Sequence, residues 1–415
     1  MKLGFFYPSY NFGGAELLYC KLAKYINNTS ENECVLIDFK GGHLDSFGKE
    51  NSVMVINVDN HGPLKNIPYE LDVIVCPPNY LYRIHDFLLL DDTVKLLFWS
   101  IHPQNFESTL PFFKSLKDLK IKKKLYDLFG VGEFSTLKSN IRLLCDSNAI
   151  VFMDGANHDE VTQLFNEKLE KKLLPVPFNL ESNINSFNEC SQHRVIDNEI
   201  SITWLGRVEG FKTNSILYLY KDIENFCKEH TEFELKLNVI GSGNDLKVIE
   251  SCMSMPKNLT LNFLGILTGS KLTDFLLYNT DITFAMGISA LDSASIGVPT
   301  VLIDIIADPS LSSYKYRWLY QTNDFNLGTL IRDNSDVESS DGSCFYEIIS
   351  DLKCNTLHFK KESYLYSRHY HDIERTKNML LAFSKSTKLG FETSKMIIRY
   401  GFIRSVYLKF RGKLC

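Results

Sequence analysis

Residues 284–300 read FAMGISALDSASIGVPT. A short apolar run reaches Gly287, a longer stretch of mixed character follows it, Gly297 ends that stretch, and Pro299 leads into another apolar run. Glycine is favoured just past the end of a helix, and proline soon after it. The order therefore predicts a strand, a glycine-containing loop, a helix and a second strand, which is the repeating unit of a parallel sheet covered by helices.

The same alternation extends over the whole chain of 415 residues, a length that suits two domains. It predicts strands at 3–7, 34–39, 53–58, 73–76, 95–99 and 144–152, and again at 200–205, 235–240, 259–263, 282–285 and 300–303. Between the two sets, residues 180–198 are rich in Asn, Ser and Glu and show little periodicity. We therefore predict two doubly wound α/β domains at 1–180 and 199–361, a linker at 181–198, a closing helix at 362–384 and a tail at 385–415.

Composition is that of an ordinary globular protein. The formal net charge is −5, which gives no sign of a nucleic-acid partner. The ten cysteines are scattered without a C-x-x-C pair or a Cys/His cluster, which favours reduced thiols over a zinc site. No apolar run approaches the ~20 residues of a membrane span, and the N-terminus is typical of a first strand rather than of a signal peptide. These features predict a cytoplasmic protein.

Two places combine glycines or cations with the end of a predicted strand. Gly13 and Gly14 precede the first helix, where backbone amides favour an anion, although a glycine pair fits a ligand-free turn equally well. Arg207 follows the strand at 200–205, and Lys212 lies five residues further on. An arginine fork beside an ammonium suits a diphosphate, and doubly wound sheets bind ligands at this edge. Without this position after a strand, Arg207 and Lys212 would be interpreted as two solvated surface cations.

Further candidates follow two other predicted strands. Gly287 and Ser289 place small residues and free amides at a helix N-terminus, which again suits an anion. Asp292, expected in the first turn of that helix, can accept hydrogen bonds from ribose hydroxyls or can merely complement the helix dipole. His102 follows the strand at 95–99; a lone histidine is usually structural, but this position favours a functional role. The G-x-G-x-x-G spacing of a dinucleotide site is absent, so no nicotinamide cofactor is expected.

Three motifs in this order resemble those of the retaining family-four (group 1) glycosyltransferases. They are Gly-Gly-Ala-Glu at 13–16, Gly-Arg at 206–207 with lysine at 212, and Leu-Asp-Ser-Ala-Ser-Ile-Gly-Val-Pro at 291–299. The resemblance implies the GT-B fold, in which two Rossmann-like domains face a cleft. It implies that Arg207 and Lys212 hold the diphosphate of a nucleoside diphosphate sugar, that Asp292 binds its ribose, and that His102 lies near the reacting bond.

The resemblance also implies the reaction, a transfer of the sugar to a hydroxyl of a glycan acceptor with retention of configuration. The donor would contact the glycine loops as well, at Gly13, Gly14, Gly287 and Ser289. No D-x-D motif is found where a metal-dependent transfer would need it, so no metal or other cofactor is expected. We expect the acceptor to be lipid-linked. We expect the protein to act in the synthesis of a bacterial surface polysaccharide, such as capsule or lipopolysaccharide.

One position departs from the family pattern. The family has a glutamate eight residues before the ribose-binding acid, where it contacts the donor sugar, and Phe284 stands there in this chain. That carboxylate contact is either missing or supplied elsewhere. Two other functions stay open: a sugar-nucleotide epimerase, which needs carboxylates and histidines at the donor sugar, and a non-catalytic donor-binding partner of another transferase.

The predicted tail at 385–415 is basic. It carries eight lysines and arginines against the single acid Glu392, and apolar residues recur on one helical face at Met396, Tyr400, Ile403, Tyr407 and Phe410. A basic amphipathic helix of this kind can lie on an anionic membrane surface, here the inner face of the cell membrane. The alternative is a helix packed on the body of the protein with solvated cations.

Overall fold

The computed structural model describes residues 1–10, 13–59, 65–66, 70–102, 104–110, 131–178, 197–253, 256–307, 310–311, 313–338, 341–402 and 405. The chain divides into two compact units, Met1–Val176 together with Ile373–Cys415, and Pro177–Asp372. Of the linker predicted at 181–198, only residues 197 and 198 are among the described residues. No helix in the described ranges is both long enough and apolar enough to cross a bilayer.

The first unit is built on a parallel sheet. Its strands are β1 (Lys2–Phe6), β2 (Glu33–Phe39), β3 (Val55–Val58), β4 (Lys65–Asn66), β5 (Val73–Cys76), β6 (Leu88–Leu89), β7 (Lys95–Ser100) and β8 (Ile150–Phe152). Six of them form one sheet in the order β3-β2-β1-β5-β7-β8, with every pair parallel, while β4 pairs with β6. The helices are α1 (Gly14–Thr29), α2 (His43–Asn51), α3 (Val131–Asp146) and α4 (Gly155–Phe165).

One sequence prediction in this unit is wrong. The stretch at 144–152 is a strand only from Ile150, because its first residues end α3. Leu137, Ile141 and Leu144 recur at helical spacing and are fully buried, so their apolar character belongs to the inner face of that helix. The lysine- and leucine-rich composition of residues 107–145 also favours helix, but residues 111–130 lie outside the described part of the chain.

The second unit repeats the architecture. Its strands are β9 (Glu199–Leu205), β10 (Glu234–Ile240), β11 (Leu259–Gly265), β12 (Ile282–Ala285), β13 (Thr300–Leu302), β14 (Ile305–Ile306), β15 (Arg317–Trp318) and β16 (Leu330–Ile331). The main sheet has the order β11-β10-β9-β12-β13-β15, parallel except for β15, and β14 pairs with β16. The helices are α5 (Phe211–Glu229), α6 (Leu246–Cys252), α7 (Gly269–Asn279), α8 (Ile288–Ser295), α9 (Asn334–Glu338) and α10 (Phe345–Tyr370).

Both sheets reverse the direction in which strands are added. The first three strands extend each sheet to one side, and the chain then returns to the other side of the first strand. The reversal falls between β1 and β5 in the first unit and between β9 and β12 in the second. Helices on both sides of such a reversal leave a crevice beyond the carboxyl ends of the strands, and ligands bind there in doubly wound sheets.

The end of the chain returns to the first unit as α11 (Ile373–Ser386) and α12 (Phe391–Ile397). The closing helix predicted at 362–384 is therefore two helices, α10 and α11, that are separated at His371 and Asp372. The unit boundary falls at this break.

The predicted tail does not begin as one continuous amphipathic helix. The backbone amide of Leu96 donates to the carbonyl of Leu389 at 2.8 Å, so the chain after α11 lies against β7. Leu389, Phe391 and Ile398 are then buried in the first unit. The first part of the tail is thus core, while residues 403–404 and 406–415 lie outside the described residues.

The loops that follow β9 and β10 touch backbone to backbone. The amide of Gly206 donates to the carbonyl of Ile240 at 3.0 Å, and the amide of Val208 donates to that of Ser242 at 3.0 Å. A Cβ at Gly241 would lie 1.9 Å from the carbonyl oxygen of Gly206, and the φ of Gly241 is 146°. Only glycine fits there, because both the space and the backbone conformation exclude a side chain.

Substitution of Gly241 tests this close approach. Gly241→Ala should reduce the free energy of unfolding by about 3 kcal/mol or more, because overpacking and backbone strain act together. The matched control is Gly265→Ala, where φ is also positive, at 67°, but no atom lies within 4 Å of the new Cβ. It should cost about 1–2 kcal/mol. Equal losses in urea denaturation would contradict the tight loop contact.

Candidate functional site

Arg207 and Lys212 flank the turn from β9 into α5. Lys212 is in the first turn of the helix, and its side chain points back over the end of the strand. Its Nζ lies 3.7 Å from the place that a Cβ on Gly206 would occupy, and the indole Nε1 of Trp204 is 3.8 Å from the same point. The ammonium therefore sits against the last backbone of β9 and the edge of a buried tryptophan.

Lys212 is an electrostatically unfavourable cation in this position. Burial, followed by the nearby positive charge of Arg207, lowers the pKa of Lys212 from 10.5 to about 8, and only Glu209 acts in the opposite direction. The positive end of the α5 dipole adds to the repulsion. A bound anion would relieve all three effects, which is the reason why such perturbed groups are candidates for functional sites.

The side chain of Arg207 is more exposed than that of Lys212. Its side chain is 62% exposed, and its Nη1 pairs with Oε1 of Glu209 at 2.9 Å. Exposed ion pairs contribute little to stability, so this guanidinium can exchange its partner for a ligand at small cost. The structure thus brings the two predicted cations together at the carboxyl end of β9, while their role in binding stays a prediction.

The first turn of α5 is held in place by side chains from two neighbouring loops. Asp245 accepts hydrogen bonds from the amide of Gly210 at 2.8 Å and from Oγ1 of Thr213 at 2.6 Å. Asn214 donates to the carbonyl of Ile306 at 3.0 Å, and the hydroxyl of Ser215 donates to that of Asp304 at 2.7 Å. These bonds fix the direction in which Lys212 leaves the helix.

Gly287 and Ser289 begin the next candidate, the N-terminus of α8. Gly287 has a φ of 63°, which favours glycine, and it precedes the first helical residue. Its amide donates to the carbonyl of Leu327 at 2.8 Å, so the prediction of a free amide at Gly287 is wrong. Ser289 is half-buried and is the second residue of the helix, where backbone amides lack an intrahelical partner.

Asp292 and Phe284 occupy different environments. The helix begins at Ile288, so half-buried Asp292 is its fifth residue, and the prediction that it lies in the first turn is wrong. An interaction of Asp292 with the α8 dipole alone is correspondingly weaker.

Phe284 lies inside β12, fully buried, with its ring 5.3 Å from that of Tyr316 and 5.9 Å from that of Phe345. It therefore belongs to the core and supplies no polar group to the edge of the sheet.

In the first unit, Gly13 caps α1 and Gly14 begins it, just after β1. The φ of Gly13 is −159°, so its backbone does not require glycine. Instead, a Cβ there would lie 2.9 Å from Oε2 of Glu16, whose side chain folds back over the loop. In the sequence, Glu16 stands out only as part of the Gly-Gly-Ala-Glu motif. Its position three residues after the cap, in a first turn, was the available signal.

His102 is exposed and follows β7 directly. Its Nδ1 accepts a hydrogen bond from the amide of Gln104 at 3.1 Å. Asn105 anchors the same turn, because its Oδ1 accepts from the amides of Ile101 at 3.0 Å and of His102 at 2.9 Å. The imidazole is therefore oriented by its own turn and can present Nε2 outward. Its catalytic role stays a prediction.

A polar groove of about 460 Å³ lies in the second unit, away from these residues. Its floor is an internal hydrogen-bond chain: Asn262 donates to Asn238 at 2.9 Å, and Asn238 donates to Ser201 at 2.9 Å. These three side chains therefore bond to one another. Among the described residues, no group of three or more His, Cys, Asp or Glu is placed to hold a metal ion.

No protein-family model matches the sequence, and no curated protein matches it significantly. Solved structures do match. A glycosyltransferase from Rickettsia africae has a TM-score of 0.53 at 10% identity, covering 92% of this chain and 97% of that chain. HepE from Anabaena, in complex with UDP-glucose, has a TM-score of 0.51 at 13% identity, covering 93% and 100%. TarM, of which an S. aureus form has also been solved, has a TM-score of 0.52 at 10% identity, covering 92% and 98%.

The chain therefore has the GT-B fold of these glycosyltransferases, with two parallel-dominated α/β sheets in one chain, and the fold class predicted from the sequence is confirmed. A fold of this kind supports many activities, so the function has to be argued from the residues at the edges of the sheets.

The pKa of Lys212 is directly measurable. A side-chain NMR titration of the free protein should show a midpoint near 8 for Lys212. Arg207→Gln should raise that midpoint, because it removes a neighbouring positive charge, whereas Glu209→Gln should lower it. A wild-type midpoint at the ordinary lysine value of 10.5 would show that the ammonium is not desolvated.

Proposed function

We propose that this protein is a glycosyltransferase that moves a sugar from a nucleoside diphosphate sugar to a hydroxyl of a glycan acceptor. The observation that carries the proposal is the desolvated ammonium of Lys212 beside the guanidinium of Arg207, at the carboxyl end of β9. Two cations held together near a helix N-terminus are matched by a ligand with two adjacent negative charges. A diphosphate is such a ligand.

In the proposed reaction, the bond between the anomeric carbon and the diphosphate oxygen breaks, and a bond from that carbon to the acceptor oxygen forms. The acceptor hydroxyl gives its proton to the departing diphosphate oxygen, which keeps the electron pair of the broken bond. Arg207 and Lys212 would stabilise the charge that develops on this leaving group, in a place where both are already oriented. A metal ion is not required for this step, and retention of configuration is proposed from the family resemblance.

The remaining candidates take supporting roles in the proposal. Asp292 would accept hydrogen bonds from the ribose hydroxyls, and the amides at the N-terminus of α8 would contact phosphate oxygens. His102, whose ring is oriented by Gln104, would lie near the transferred sugar. UDP is the first nucleotide to test, because the HepE structure contains UDP-glucose and a TarM structure contains UDP.

Two other functions remain as rivals. An epimerase would need carboxylates at the donor sugar, and the burial of Phe284 in the core argues against it. A non-catalytic donor-binding partner would retain the cation pair but not turn over. Labelled nucleotide sugars separate the three functions by their products: transfer to a glycan, an epimerised donor, or binding alone.

We further propose that the acceptor is lipid-linked and that the protein works on bacterial surface polysaccharide at the inner face of the cell membrane. Met396 is 76% exposed and Phe402 is 77% exposed, and both lie beside cations, Lys395 and Arg399. Exposed apolar side chains among cations are typical of a segment that binds an anionic lipid surface. The cations beyond residue 405 would add to this attraction.

Replacement of both cations tests the proposed function. Arg207→Ala with Lys212→Ala should abolish sugar transfer and weaken UDP binding by at least about 100-fold, because two charge-assisted contacts are lost. The thermal midpoint should not fall, since a repulsive pair is removed. Wild-type affinity for UDP should decrease as the pH rises through 8, where Lys212 of the free protein loses its charge, and the double variant should show no such step. If calorimetry shows that the wild type and the double variant are equally folded, unchanged turnover in the variant would refute the role of these two cations in transfer.

Vesicle flotation tests the membrane proposal. A truncation at residue 384 would remove buried Leu389 and Phe391, so the informative truncation ends at Ser405. It removes three cations, Lys409, Arg411 and Lys413. Binding to phosphatidylglycerol vesicles should weaken by about 3 kcal/mol, roughly 100-fold. Full-length protein carrying Met396→Ser and Phe402→Ser should also bind more weakly. Flotation equal to that of the unaltered chain in both cases would end the idea.

A further inference from the structure

Glu16 is a largely buried carboxylate to which none of the described residues donates a hydrogen bond. It is the third residue of α1 and only 5% exposed, and its Oε2 lies against the backbone of Gly13. Among the described residues, none donates a hydrogen bond to this carboxylate or forms an ion pair with it. Its oxygens are not among the fully enclosed polar atoms, so this largely buried carboxylate keeps a narrow contact with solvent, through which a ligand can reach it.

Three hydroxyl groups lie in the same part of the first unit, and two of them, on Tyr19 and Ser100, are enclosed without a hydrogen-bond partner among the described residues. Tyr7 follows β1, and burial together with the charge of Glu16 raises the pKa of its phenol to about 12. Tyr19 is fully buried with its ring 5.8 Å from that of Tyr7, and its hydroxyl has no partner. Ser100, the last residue of β7, is also fully buried with an unpaired hydroxyl. The charge of Glu16 reaches both tyrosines.

The place of this group in the sheet points to a ligand. Tyr7 follows β1 and Ser100 ends β7, the two strands that flank β5, and the strand order reverses between β1 and β5, where doubly wound sheets bind ligands. A carboxylate only accepts hydrogen bonds, whereas the hydroxyls of Tyr7, Tyr19 and Ser100 both donate and accept. The matching ligand therefore carries several neutral hydroxyls, each able to donate and accept. A sugar ring has this chemistry.

We propose that Glu16 is a specificity-determining residue whose carboxylate accepts hydrogen bonds from sugar hydroxyls of the substrate, with the hydroxyl of Tyr7 beside it. This inference rests on the proposed transfer reaction and names a sugar contact within it. The hydroxyls belong either to the transferred sugar or to the acceptor glycan. Both sources present the same chemistry, and kinetics separate them.

Glu16→Gln is the central variant, because it keeps the shape and one acceptor oxygen while it removes the charge. The free protein should be about as stable as the wild type, since no hydrogen bond or ion pair from the described residues to this carboxylate is lost. Its Kd for UDP should stay within about twofold, because the proposed contact of Glu16 is with the sugar and not with the nucleotide. The efficiency of transfer, kcat/KM, should fall about 10- to 100-fold.

The two sugar sources give different patterns. If Glu16 binds the transferred sugar, the affinity that the sugar adds to UDP, measured as the ratio of the Kd values for UDP and the nucleotide sugar, should disappear in Glu16→Gln. If it binds the acceptor, that ratio stays constant and the KM for the acceptor rises. Tyr7→Phe provides a second variant. It should change the same quantity as Glu16→Gln, either the Kd ratio or the KM for the acceptor, but by a smaller factor.

Glu133 gives a matched structural control. It is also the third residue of a helix, α3 in the first unit, and it is also 5% exposed, but it does take part in contacts within the protein. Glu133→Gln should lower the thermal midpoint and leave both KM values unchanged. The Glu16 inference is overturned if Glu16→Gln behaves like Glu133→Gln, or if neither it nor Tyr7→Phe alters kcat/KM in a wild-type background that transfers sugar. A wild type that neither binds UDP nor transfers sugar would instead overturn the proposed function.

Discussion

A lysine ammonium that has left water and lies beside an arginine is a repulsive arrangement, and the second unit is built to maintain it. The first turn of α5, which carries Lys212, is fixed from both sides by Asp245 and by the segment after β13. Gly206 gives the ammonium its place over the end of β9. Free energy from packing and hydrogen bonding elsewhere in the unit offsets this local repulsion, as is common at sites that wait for a charged ligand.

The parallel architecture could be predicted from the sequence because it depends on local features. Buried strands of a doubly covered parallel sheet are short apolar runs, and the helices between them have their own periodicity. The stretch from Phe284 to Thr300 contains both, together with the glycine and proline that separate them, and the structure follows it element by element. The cations at 207 and 212 were recognisable for the same reason: their place after a strand determines which edge of the sheet they occupy.

What could not be predicted depends on contacts between distant parts of the chain. Leu144 has the same apolar character in a strand or in a buried helix face, and only the packing of α3 distinguishes the two. The amide of Gly287 is occupied by Leu327, which lies forty residues further on. Glu16 gave no sign in the sequence that its carboxylate would be buried without a donor, because that depends on which residues surround it. Lys212 and Glu16 thus share a property that a pattern does not reveal: the burial of each charged side chain depends on residues that are distant in the chain.

The return of the chain to the first unit has a consequence for biosynthesis. Leu389 bonds to the backbone beside β7, and Thr376 and Thr387 donate to the carbonyls of Pro175 and Leu96. During translation, these partners emerge from the ribosome more than two hundred residues after β7 has been made. The second unit can complete its core while the first still lacks its last two helices. The unit made first is therefore the one that finishes folding last, and its exposed sheet edge has to be kept from other chains in the interval.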